Sequence, residues 1–102
     1  MLIADGNITF AVINAIVGEW MEVRSKKIYN FGRRESSPAQ VVLTIDAEKP
    51  LDCRISFVGE ICYIEFNKEK YRLWYMDNTK EVKFELHSED KKIKLEKYKP
   101  KL

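Results

Sequence analysis

The sequence predicts an all-β domain, a small antiparallel meander entered through a short N-terminal helix. Three observations carry that prediction. Segments of alternating polarity recur from Val41 to Tyr98, turn residues separate them at short intervals, and one tight turn, Gly59-Glu60, fixes a register. The 102 residues leave room for a single domain, and a chain that is 45% hydrophobic and 12% aromatic can bury a core.

The candidate strands of the second half are 41–46, 53–58, 61–66, 71–76, 81–87 and 92–98. Glycine at the first central position of Gly59-Glu60 suits a two-residue type II′ hairpin. Val58 then faces Ile61, Phe57 faces Cys62, Ile55 faces Ile64 and Arg54 faces Glu65, so that Cys53, Ile55, Phe57, Cys62, Ile64 and Phe66 share one apolar side. Four-residue loops at Asn67–Lys70 and Asp77–Lys80 and a two-residue Glu89-Asp90 turn extend the scheme. They add Tyr71, Leu73, Tyr75, Val82, Phe84, Leu86, Ile93 and Leu95 to the apolar side. The opposite side gains the row Arg54, Glu65, Arg72, Glu85, Lys94, alternating in sign, and the row Ser56, Tyr63, Trp74, Lys83, Glu96. Slipping a strand by one residue would bury its charges and break both rows.

Residues 7–24 read in two ways: one amphipathic helix N-capped by Asn7, or a short helix over about 8–15 followed by a strand from Val17 to Ser25. The run Ile16-Val17-Gly18-Glu19-Trp20 resembles the Gly-x-Trp signature of the lipocalin (calycin) barrels, and the stretch from Cys62 to Glu96 resembles their closing meander. The resemblance covers about residues 13–98. It implies an up-and-down barrel of seven or eight strands, with 1–16 as lead-in, 17–98 as barrel and 99–102 as tail. Closure removes the exposed edges that an open meander would leave. Trp20 plugs one end in this picture, and a basic side chain near the end of the last strand, Lys97 or Lys99, packs on it. The resemblance implies a small hydrophobic ligand in a cavity lined by Trp20, Phe57, Tyr71, Tyr75 and Phe84. Against this, lipocalins that carry lipids are usually longer, and so many inward aromatics can fill an eight-stranded interior.

The composition and motifs exclude several function classes. Eighteen basic and sixteen acidic side chains nearly balance, which argues against a protein built to coat nucleic acid. The nearest apolar run, Ile8 to Val17, is broken by Thr9 and Asn14 and is shorter than the roughly 20 residues of a membrane span. It has no basic segment before it and does not read as a signal peptide. Catalysis is not expected: the one histidine, His87, sits beside Ser88, Glu89 and Asp90 in what reads as a solvated turn, and no phosphate loop, Cys-x-x-Cys or His-x-x-x-His is present. Neither a cofactor nor a metal is expected. Cys53 and Cys62 lie four rungs apart, roughly 13 Å at about 3.3 Å per residue, beyond the ~7 Å reach of a disulfide, and read as buried free thiols.

Two further surfaces are candidates for a partner protein, as in an enzyme or protease inhibitor. One is Arg33-Arg34 on a loop of about nine residues, Phe31 to Ala39, which the resemblance places near the mouth as a lid. The other is an outward patch of Val58, Ile61, Tyr63, Trp74 and Met76, left open or covered by the segment 1–16. Nucleic-acid binding, through the Arg33-Arg34 cluster and the six lysines after Asp90, ranks third.

Overall fold

A computed structural model describes residues 5–34, 37–77 and 82–98. Helix α1 (Asp5–Ile16) leads into eight antiparallel strands: β1 (Gly18–Glu22), β2 (Ile28–Arg34), β3 (Ser37–Ile45), β4 (Leu51–Val58), β5 (Ile61–Phe66), β6 (Glu69–Asp77), β7 (Val82–His87) and β8 (Lys92–Lys97). Each strand pairs with its sequence neighbour, and β1 pairs with β8 through Trp20↔Lys97, Met21↔Glu96 and Glu22↔Leu95, closing the barrel. The second reading of residues 7–24 is therefore the observed one, with a helix that starts before Asn7. The side chain of Asn7 and the residue Lys99 lie outside the described residues.

The helix-to-strand passage explains the Gly-x-Trp run. Gly18 takes φ +135°, a backbone state that a side chain disfavours, and this turns the chain out of α1 into β1. Trp20 then points inward, fully buried, and its indole Nε1–H donates to the Ile16 carbonyl at 2.8 Å. That bond satisfies a carbonyl the helix end leaves without an intrahelical partner. The Lys97 ammonium lies 5.4 Å from the centre of the Trp20 ring, so the basic side chain expected at the end of the last strand is in place.

Inward positions alternate as the sequence period requires. Ile13 and Ile16 of α1 join Phe31, Val41, Leu43, Cys53, Ile64, Phe66, Tyr71, Leu73, Phe84, Leu86, Ile93 and Leu95 around Trp20 in one core. The β4–β5 register is the expected one, from Arg54↔Glu65 to Val58↔Ile61, and Gly59 turns with φ +63° while Glu60 stays out of the left-handed region.

Three expectations are corrected. The Phe31–Ala39 segment is not a nine-residue loop: β2 runs on to Arg34 and β3 begins at Ser37, with a register shift between Arg33 and Arg34. Of that segment, Glu35 and Ser36 lie outside the described residues. The four-residue loop after Phe66 is a two-residue turn, Asn67 at φ +53° and Lys68 at +63°, with Phe66 opposite Glu69. Tyr63 lies opposite Arg72, and between β6 and β7 the pairs are Arg72↔His87 and Trp74↔Glu85, so neither the row Arg54, Glu65, Arg72, Glu85, Lys94 nor the row Ser56, Tyr63, Trp74, Lys83, Glu96 forms. Both displacements are of two residues, which preserves the face of every side chain.

Truncating Trp20 to alanine is expected to cost about 3–5 kcal/mol of unfolding free energy, read by chemical denaturation. At the Asn67-Lys68 turn, where lysine holds a left-handed conformation, Lys68→Gly is expected to gain about 1 kcal/mol. Its melting temperature should rise by roughly 4–8 °C in a domain of this size.

Candidate functional site

The interior was the first candidate, and its aromatic side chains meet one another. Trp20 packs edge-on against Phe84 with ring centres 4.8 Å apart and against Tyr75 at 6.3 Å, Tyr75 meets Phe84 at 6.0 Å, and Phe31 meets Phe84 at 5.6 Å. Towards the other end Phe66 stacks on Tyr71 at 5.0 Å, and Tyr29 lies 6.4 Å from Phe31. Burial, with Glu22, Tyr71 and Asp46 nearby, pushes the Tyr29 phenol up to about 12. Of the five expected cavity residues, the structure brings Trp20, Tyr75 and Phe84 together. Tyr71 lies four residues further along β6, roughly 13 Å away at about 3.3 Å per residue, and Phe57 is half-buried beside the β4–β5 turn.

Cys53 and Cys62 are free thiols, as expected, but only Cys53 is buried, and Cys62 is half-buried. Burial, with the Asp52 charge adding to it, raises Cys53 to about 12, and burial raises Cys62 to about 11. Neither has thiolate character at neutral pH. Among the described residues, no group of three or more His, Cys, Asp or Glu side chains is placed to hold a metal ion. No described helix is long and apolar enough to cross a membrane.

The outer face of β5–β8 holds a second candidate. A depression of about 280 Å³ is lined by Trp74, Tyr75, Met76, Lys83, Glu85, His87 and Lys92. Trp74 is 38% exposed and Met76 55%, and Val58, on β4 of the same wall, is 60% exposed. Helix α1 makes its principal contacts with β3 and leaves these side chains open. The Arg72 guanidinium lies 4.1 Å from the centre of the Trp74 ring, and the His87 ring sits 5.9 Å from it. Tyr63, one strand over and opposite Arg72, carries the Lys70 ammonium at 4.8 Å.

Glu85 forms the floor. It is 6% exposed, the one buried charged residue among those described. His87 Nε2 lies 2.8 Å from its Oε1, and the ammonium groups of Lys92 and Lys83 lie at 3.8 and 3.9 Å. Burial pulls its carboxyl upward, yet the His87 hydrogen bond and the charges of Lys92, Lys83 and Lys94 outweigh that and hold it below its ordinary value of 4.5.

Tyr63, Trp74 and Met76 thus share one wall of the barrel, but Arg33 and Arg34 do not belong with them. Those arginines stand on β2, four strands from β6 in either direction around the barrel, and Arg34 is tied to Asp52 in an ion pair. The sequence reading missed Glu85 and His87 as site residues. Their signal was the alternation Lys83, Glu85, His87 on the outward side of β7, which the displaced register set against the wrong partners.

No family model, no curated protein and no solved structure matches the chain. The closed eight-stranded barrel is compatible with a lipocalin-like fold.

Because the Glu85 carboxyl is depressed in the folded protein, its stabilisation is complete above 4.5 and is lost as pH falls through the folded value. Glu85→Gln is expected to cost about 1–2 kcal/mol at neutral pH. In thermal melts run from pH 7 downward, the gap between variant and wild type should close below 4.5.

Proposed function

We propose that the protein is a non-enzymatic binding module that recognises a partner protein through the outer face of β5–β8, with the barrel interior as scaffold. The observation that supports this most is the Trp74 depression, where an exposed tryptophan and methionine adjoin a cationic rim. Tryptophan, methionine and arginine are the side chains enriched where proteins dock. The aromatic contacts of the core beneath support the face, and a preorganised face loses less entropy on association.

A second reading, a small hydrophobic ligand held by the barrel, draws on a different observation. Ile55, Phe57, Cys62, Tyr75 and Val82 are apolar, face inward and are only half-buried. On that reading the ligand seats against Tyr75 and Phe84.

Selection of displayed random peptides on the wild-type protein separates the two. Docking at the outer face predicts that Trp74→Ala weakens the selected peptides about tenfold or more while Arg33→Ala leaves them unchanged. Saturable one-to-one uptake of a fluorescent fatty acid, abolished by Cys62→Trp and untouched by Trp74→Ala, would transfer the function to the interior.

A further inference from the structure

We propose that the Trp74 face takes an acidic segment of a partner protein, anchored by one apolar side chain; this rests on the reading of that face as the docking surface. Around the depression stand Arg72, Lys83, Lys92 and Lys94, against the exposed carboxylate of Glu96, two residues from Lys94 on the outward side of β8, and the carboxylate of Glu85. That carboxylate lies beneath the surface and holds its cations from below. Lys83 and Lys92 stand 3.9 and 3.8 Å from it, beyond the 2.7–3.2 Å of a direct hydrogen bond, so both ammonium groups keep donors for an acceptor arriving from solvent. Glu85 therefore positions the lysines without consuming their charge.

The face is graded from apolar to cationic. On β4 and β5, Val58 pairs with Ile61, on β6 stand Trp74 and Met76, and beyond them come Lys83 on β7, opposite Met76, and Lys94 on β8, opposite Glu85. From Trp74 on β6 to Lys94 on β8 is two strand spacings, roughly 9.6 Å, between the ~6.6 Å and ~13 Å that separate side chains two and four positions apart on one side of an extended peptide. An apolar residue seated on Trp74 and Met76 then brings the carboxylates two and four positions away, on the same side of the extended segment, towards the Lys92 and Lys94 ammonium groups. Charge complementarity of this kind fixes orientation and speeds encounter.

The same face suits a nucleic-acid strand less well. Glu65 and Glu96 interrupt any continuous track of cations across the outer rows. The ring faces a base would stack on already carry Arg72, at Trp74, and Lys70, at Tyr63.

Synthetic peptides test the proposal: one with leucine and glutamates two and four positions away, the same peptide with glutamine for glutamate, the same with lysine, and an oligothymidylate. Tryptophan emission reads binding, and Trp74→Phe establishes that Trp74, not the buried Trp20, is the reporter. The glutamate peptide is expected to bind about tenfold more tightly than the glutamine peptide, to weaken with added salt and to lose affinity in Lys94→Gln, with the lysine peptide failing to bind. Lys94→Gln leaves the two lysines nearest Glu85 in place, and its melting curve checks that the fold is intact. Equal affinity for the glutamate and glutamine peptides, with both abolished by Trp74→Ala, would overturn the acidic partner and leave the docking face standing. Peptide binding indifferent to Trp74→Ala, or none at all, would overturn both. Tighter binding of the oligothymidylate would replace the acidic segment by a nucleic-acid strand.

Discussion

The barrel depends on what surrounds Trp20. One side chain receives the end of α1 through its indole N–H, fills the section of the barrel through Phe84 and Tyr75, and carries the ammonium of Lys97 from the strand that closes the sheet. Helix, core and closure thus meet at one residue. Gly18 is what allows that meeting, since its positive φ lets the chain leave the helix and place the indole within reach of the Ile16 carbonyl two residues later. A closed sheet of eight short strands has a narrow interior, and the rings of Trp20, Phe31, Tyr75 and Phe84 occupy it in edge-on and tilted contacts that favour a packed arrangement.

A second constraint acts on the outside. Burying a carboxylate on the outer face of a sheet is unfavourable unless every lone pair finds a partner. Glu85 offsets that cost with a hydrogen bond to the histidine two residues along its own strand and with the nearby charges of lysines from β7 and β8. The result is a rigid basic rim beside an exposed indole. His87 also touches the Trp74 ring, which couples the floor of the depression to its wall.

Much of this was legible because a strand has a period of two. The inward set from Cys53 to Leu95 follows from alternation alone, and a displacement of two residues leaves it intact, which is why the core was readable where the pairing was not. The β4–β5 register was readable because glycine announces its turn. The next turn gave no such sign: Asn67 tolerates the left-handed region, but Lys68 does so only under the pull of the flanking strands. The same kind of error hid the site. With β6 and β7 offset by two, Glu85 read as one rung of a surface ladder opposite Arg72, when it lies opposite Trp74 under the lysines. The β2–β3 hairpin was hidden differently, because Gly32, Ser37 and Pro38 are turn formers that here sit in strands.

Where such a molecule can bind anything follows from what its closure takes away. With β1 paired to β8, the first and last strands offer no free edge to which an extended peptide could add as another strand. The turns at Gly59-Glu60 and Asn67-Lys68 are too tight to form the long loops by which larger barrels grip their ligands. The interior is largely given over to its own aromatic rings. What remains are outward side chains, and an outward face gains specificity only if something fixes the rotamers of its long, flexible residues. A buried anion draws the ammonium groups of neighbouring lysines towards it at a small cost in exposed area. Glu85 beneath, Lys83 and Lys92 around it and Trp74 alongside are therefore the outward feature on which the proposed recognition surface rests.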